Sequence, residues 1–259
     1  MIKRLGLLTA LALVGCLLVG PASHAAETSF KGKTIIWVVG FSPGGGFDTY
    51  TRLIARHFGK YVPGNPTSVV KNMPGAGSLI AANYIYNKAK ADGTYIGNWI
   101  GPHVLQNVMG NKAAKLDGRK LGFLGAPAAD SGVCALTKES GINNLDDWFA
   151  AKKPVKIGST APGSTTDDVP KLVRAATGLP IQLVEGYGGT ARIRVAAESG
   201  EVDGGCWSWQ SIKATWSSAL ASGAVKVIIQ SSLESHPDLK DVPLAVNYAK
   251  TAEARKLLD

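Results

Sequence analysis

Residues 40–49 read G-F-S-P-G-G-G-F-D-T and stand between a strand-like apolar run at 34–39 and a helix-like run. Glycine lets a backbone approach a ligand closely and take positive φ, and the unpaired N–H groups of a helix start attract an anion. The chemistry that suits this turn is anion binding by backbone amides and hydroxyls. A turn that needs glycine for geometry alone would look the same, so the reading depends on what else in the chain has this composition. Three more stretches do: N-M-P-G-A-G-S at 72–78, G-S-T-A-P-G-S-T-T at 158–166 and G-Y-G-G-T at 186–190. Each is followed by a helix-like run. Four such loops supply converging N–H dipoles and hydroxyl donors, which suits a carboxylate held without formal counter-charge.

Gly40, Ser42 and Gly44 also spell G-x-S-x-G, the nucleophile elbow of an α/β-hydrolase, between a strand and a helix. In that elbow the residue after the serine donates its N–H to the oxyanion, and Pro43 has none. Pro43 also restricts Ser42 to extended conformations. His57, His103 and His236 lie far apart, and no metal-ligand spacing or phosphate-binding G-x-x-x-x-G-K-[ST] run occurs. The expectation is a binding protein, not an enzyme, with no cofactor and no metal.

Alternation of short apolar strands with amphipathic helices must position these loops. Strands are expected at 34–39, 67–71 and 95–100, with helices at 48–58 and 78–88. In the first helix Tyr50, Leu53, Ile54 and Phe58 share one face at helical spacing, which predicts that this face packs inward. A second set has strands at 133–137, 155–159, 181–184, 202–206 and 225–229, with helices at 145–151, 165–176, 191–199 and 212–221. The fold class is α/β in two lobes: 26–125 the first, 126–230 the second, and 231–259 a segment returning toward the first. Open α/β sheets bind ligands beyond the carboxyl ends of their strands, so two facing lobes place a cleft where all four loops lie.

Lys3, Arg4, an apolar run at 5–20 and A-S-H-A-A at 22–26 form a secretory signal peptide, 1–25, cut after Ala25, which predicts a periplasmic protein. An alternative takes Cys16 as an acylated lipoprotein anchor. Removing the charges of Lys3 and Arg4 takes the formal net charge from +9 to +7, without a dense basic run, so small anions and not nucleic acid are the expected partners. Cys134 and Cys206 either pair in an oxidising compartment or remain two buried thiols. Trp207, Trp209 and Trp216 either stack on a ligand or pack at the lobe boundary.

The motifs F-S-P-G-G-G-F-D-T, N-M-P-G-A-G-S, G-S-T-A-P-G-S, G-Y-G-G-T and G-E-V-D, in this order over nearly the whole exported chain, resemble the Bug/TctC family. These are the extracytoplasmic solute receptors of tripartite tricarboxylate transporters. The resemblance implies a two-lobed periplasmic binding protein of the Venus-flytrap kind that captures a small organic carboxylate and hands it to a membrane permease. It implies ligand contacts at Ser42, Gly44, Gly45, Gly46 and Asp48; at Gly75, Ala76, Gly77 and Ser78; at Ser159, Gly163, Ser164 and Thr166; and at Tyr187 and Gly188. Where the family commonly has Y-K-G-G, Gly188 follows Tyr187 and the lysine is absent. Asp167 stands where many members have histidine, and Asp168 follows it; these carboxylates repel an anion if they face the cleft, or simply occupy a helix first turn. Asp48 contacts ligand or orders its own loop. Family members continue beyond Asp259, so the resemblance implies a truncated C-terminal part. A sensor for a two-component regulator has the same fold and is the alternative function.

Overall fold

The run TIIWVV at Thr34–Val39 forms strand β1, and its consecutive burial at Trp37, Val38 and Val39 marks a strand covered on both faces. The computed structural model describes residues 29–106, 108–128 and 131–258; the expected leader and Cys16 lie outside them. β1 is the centre of a parallel three-stranded sheet, flanked by β2 (Thr67–Asn72) and β3 (Tyr95–Asn98). Parallel neighbours require crossovers, and helices α1 (Gly46–Phe58) and α2 (Leu79–Asn87) supply them. Ile35, Trp37 and Ala55 form the core under α1, with Trp37 edge-on to Phe58 at 5.0 Å. Leu79, Ala82, Ala114 and Leu116 form the core under α2. The short helix α3 (His103–Gln106) follows β3.

The second sheet runs β6-β5-β7-β4-β8. Its strands are β4 (Gly132–Thr137), β5 (Val155–Gly158), β6 (Ile181–Val184), β7 (Gly204–Ser208) and β8 (Val225–Gln230). β5 is parallel to β6 and β7, whereas β4 is antiparallel to both neighbours. Helices α4 (Leu145–Phe149), α5 (Thr165–Thr177), α6 (Thr190–Glu198), α7 (Trp209–Thr215) and α8 (Ser217–Ser222) cover it, and α9 (Ala252–Lys256) closes the described chain. Alternate residues of β4 feed opposite layers: Cys134 and Leu136 join Trp148, Ile157 and Val173, while Val133 and Ala135 join Ile193, Trp207 and Ile212.

Several expectations are corrected. The inward side of α1 is Gly46, Asp48, Thr51 and Ala55, and Leu53 and Ile54 are 55% and 38% exposed. Polar attachment overrides apolar spacing there: Thr51 Oγ1 donates to Phe47 O at 2.7 Å and accepts from Asn98 Nδ2 at 2.7 Å. The helix expected at 212–221 starts earlier and breaks at Trp216, which leaves the helical region at φ −126°, ψ 19°. The strand expected at 202–206 is displaced to Gly204–Ser208, because a turn at 199–203 holds Val202 in the core. The segment expected to return toward the first lobe instead lies against the second sheet, with Leu239, Ala245, Val246 and Leu258 in its cores.

Cys134 and Cys206 face each other across β4 and β7 with Cα atoms 4.0 Å apart, and they form a disulfide. The cross-link spans 72 residues of sequence, so chain entropy gives it a stabilisation of roughly 4 kcal/mol. Reduction, or replacement of both cysteines by alanine, is expected to lower the unfolding free energy by about that amount in denaturant titrations. An unchanged midpoint would show that the bridge constrains nothing.

Candidate functional site

The first loop leaves β1 and is shaped by one buried carboxylate. Asp48 Oδ2 accepts from Gly44 N–H at 2.9 Å, and its oxygens accept from Arg52 Nε at 2.9 and 3.0 Å and from Asn72 Nδ2 at 2.8 Å. Asn72 Nδ2 also donates to Phe41 O at 2.9 Å, and its Oδ1 accepts from Arg52 Nη2 at 3.0 Å. Burial would raise the pKa of Asp48, but the bonds from Arg52, Gly44 and Asn72 outweigh it and hold the carboxyl below its ordinary value. Asp48 therefore orders its own loop.

The second loop, after β2, is strained. Gly75, Ala76, Gly77 and Ser78 all have positive φ (131°, 47°, 58° and 80°), a region costing about 1–2 kcal/mol for each non-glycine residue. Such a backbone persists where its surroundings over-determine it. Ser78 Oγ accepts from Ile100 N–H at 3.4 Å and lies 3.1 Å from His103 Nε2, which is also 2.8 Å from Gly77 O. A carbonyl only accepts, so the network assigns the proton to Nε2. His103 thus has no lone pair facing Ser78, and Ser78 is fully buried, so this serine–histidine contact holds the loop and does not activate a nucleophile.

The third loop, after β5, bonds its hydroxyls to one another. Thr160 Oγ1 donates to Ser164 Oγ at 2.8 Å, Thr160 N–H donates to Thr166 Oγ1 at 3.0 Å, and Ser164 and Thr166 lie 3.0 Å apart. Asp167 is buried and faces its own helix: Lys171 Nζ is 2.6 Å from Oδ2, and Ser159 Oγ donates to Oδ1 at 3.4 Å. Bonding to Asp167 raises the pKa of Lys171. Burial raises that of Asp168, the charge of Asp167 adds to this, and the N–H of Gly163 partly offsets both.

The fourth loop, after β6, draws the others together. Tyr187 N–H and Gly186 N–H donate to Ser159 O and Thr160 O at 3.1 and 3.2 Å, and Gly188 O accepts from Ser42 N–H at 2.9 Å. A Cβ at Gly188 would meet Ser42 Oγ, so a side chain here requires that hydroxyl to rotate away. Gly45 abuts Thr190, and Gly77 abuts Ala161 and Ser164. Gly46 approaches α7 so closely that a Cβ would overlap the Ser211 side chain. Loops from both sheets form one cluster at the carboxyl ends of β1, β2, β5 and β6.

Of the expected ligand residues, Ser42, Gly44, Gly45, Gly46, Gly75, Ala76, Gly77, Ser78, Ser159, Gly163, Ser164, Thr166 and Gly188 all lie in this cluster. Asp48 supports it from below, and the Tyr187 hydroxyl turns away to Glu201 Oε1 at 2.6 Å, where burial and then that carboxylate push its pKa up to about 12. Trp207, Trp209 and Trp216 are buried, and Trp207 stacks on Trp216 at 5.7 Å. Sequence reasoning missed Arg52, Asn72, His103, Lys171 and Arg194. Arg52 and Lys171 sit four residues after Asp48 and Asp167, a helical ion-pair spacing that was available to be read. His103 carries no such local signal.

Two α/β folds, one with a parallel and one with a mixed sheet, meeting through loops at their strand ends, have counterparts among solved structures. Periplasmic binding protein BugD is 18% identical over 88% of this chain and 80% of its own, with TM-score 0.66. Rpa4515 of R. palustris with adipate is 21% identical over 88% and 81%, TM-score 0.64. This chain has the fold of a periplasmic binding protein. MatC (Rpa3494) from Rhodopseudomonas palustris with bound malate shares the fold at 22% identity over 83% and 72%, TM-score 0.63. No protein-family model and no curated protein matches the chain.

Two outcomes follow for this binding-protein fold. Asp48→Asn is expected to cost about 1–3 kcal/mol by leaving the first-loop N–H and Arg52 poorly paired, read by denaturant titration at pH 7. Parent-like stability would show that the carboxylate is not needed. Burial, partly opposed by the Gly77 carbonyl, lowers the pKa of His103, so the folded state binds its proton less readily than the unfolded chain does. Stability is thus present above about pH 6.5 and falls as pH drops from there toward the folded value. His103→Gln should flatten that acid slope.

Proposed function

We propose that this chain is an extracytoplasmic receptor of the Bug/TctC type, which captures a small organic carboxylate between the two sheets and presents it to the membrane permease of a tripartite tricarboxylate transporter. The observation that carries the reading is the meeting of four glycine-and-hydroxyl loops, two from each sheet, at the ends of parallel strands. Backbone N–H groups and hydroxyls there match a carboxylate, and Asp167 and Asp48, which would repel one, are paired inward with Lys171 and Arg52. Two proteins of similar fold carry adipate and malate, which supports testing dicarboxylates first. Capture rather than catalysis fits the local chemistry: Pro43 offers no oxyanion donor, and Ser42 gives its N–H to Gly188. Among the described residues no helix is long and apolar enough to cross a membrane, which agrees with a receptor that works beside a permease.

Closure on a ligand requires contacts from both lobes, since a ligand shifts the equilibrium only through differential affinity. Thermal unfolding against mono-, di- and tricarboxylates should show a selective rise, equivalent to about 2.7 kcal/mol at one hundred times Kd. Ser164→Ala should reduce that response at least several-fold while the protein still unfolds cooperatively. A cooperative transition indifferent to every acid in the panel would sink the reading.

A further inference from the structure

One cation reaches the loop cluster from outside the four motifs. Arg194 stands on α6, one turn after Thr190, and its Nη2 donates to Gly44 O in the first loop at 2.8 Å. Gly44 is held from its other side, because its N–H donates to Asp48. Gly44 is therefore gripped at its N–H by a carboxylate of the first lobe and at its carbonyl by a guanidinium of the second. Nothing in the sequence pairs these residues, which lie 150 positions apart.

Arg194 is half-buried, its Nε is buried without a hydrogen-bond partner, and burial lowers its pKa while Glu198, one turn further on, partly compensates. Glu198 is in turn fixed by Trp216 Nε1 at 2.8 Å. The neighbours of Arg194 on α6 pack on the same loop: Ala191 lies beside Gly44, and Thr190 beside Gly45.

We propose that Arg194 is a positioning residue that clamps the first loop onto the second lobe and so sets how firmly the two lobes close on their ligand. Its bond to Gly44 spans the lobes, so it exists only when they are together, and any contact confined to the closed state raises the affinity of a ligand that needs that state. A hydrogen bond from a charged donor is worth roughly a tenfold change in an equilibrium constant, or more. The role in ligand affinity rests on the receptor reading; the clamp itself does not.

The test compares the parent protein with Arg194→Ala and Arg194→Lys by small-angle X-ray scattering and by calorimetric titration with adipate and malate. Arg194→Ala is expected to enlarge the radius of gyration and weaken binding roughly tenfold, with its thermal midpoint close to the parent's. Arg194→Lys, which can still donate one bond to Gly44 O, should recover part of both. Parent-like scattering and affinity within twofold in Arg194→Ala would overturn the proposal, as would weakened binding without any change in scattering. If the parent binds neither acid, scattering alone decides: an expanded Arg194→Ala supports the clamp, and an unchanged one refutes it. If Arg194→Ala does not unfold cooperatively, the same criteria apply to Arg194→Lys, with a smaller expansion expected and a parent-like curve refuting.

Discussion

The Asp48 carboxylate in the first loop is the constraint on which the rest of the site depends. It is buried, so its charge is tolerable only with full pairing, and the three partners that provide this belong to different parts of the first sheet. Gly44 is the loop itself, Arg52 is the next turn of α1, and Asn72 is the end of β2. Satisfying one buried charge therefore fixes where the loop stands relative to two neighbouring strand ends. The third loop repeats the arrangement: Pro162-Gly163 has φ +81° at glycine, as Pro43-Gly44 does, and Asp168 accepts from the Gly163 N–H.

Polar satisfaction also ties the cluster together. Thr160, Ser164 and Thr166 bond among themselves, and the strained Ser78 is held by Ile100 and His103. Donors held in place before a ligand arrives lose less entropy on binding than flexible ones. The cost is local: a run of positive φ values at the second loop, held by a buried histidine whose pKa burial lowers.

The two lobes meet through backbone and small side chains. Ser42 reaches Gly188, and Gly46 reaches Ser211. Arg194, on α6, adds a charged bond to the Gly44 carbonyl of the first loop.

Strand and helix types and the four loops were readable from local sequence, because hydrophobic period, glycine and helix-start residues act within a few positions of one another. The same locality misled at α1: Leu53 and Ile54 have the spacing of a buried face, yet the helix turns Asp48 and Thr51 inward because unpaired polar groups cost more than exposed apolar ones. It could not choose between paired and free cysteines, which β4–β7 register decides. Nor could it place His103 beneath the second loop, or Arg194 against Gly44, since those contacts join residues distant in the chain. The sequence by itself determined the α/β alternation and the chemistry of the loops. Tertiary structure alone decided which of those polar groups face one another, because pairing of buried charges and hydrogen-bond donors depends on positions that folding brings together.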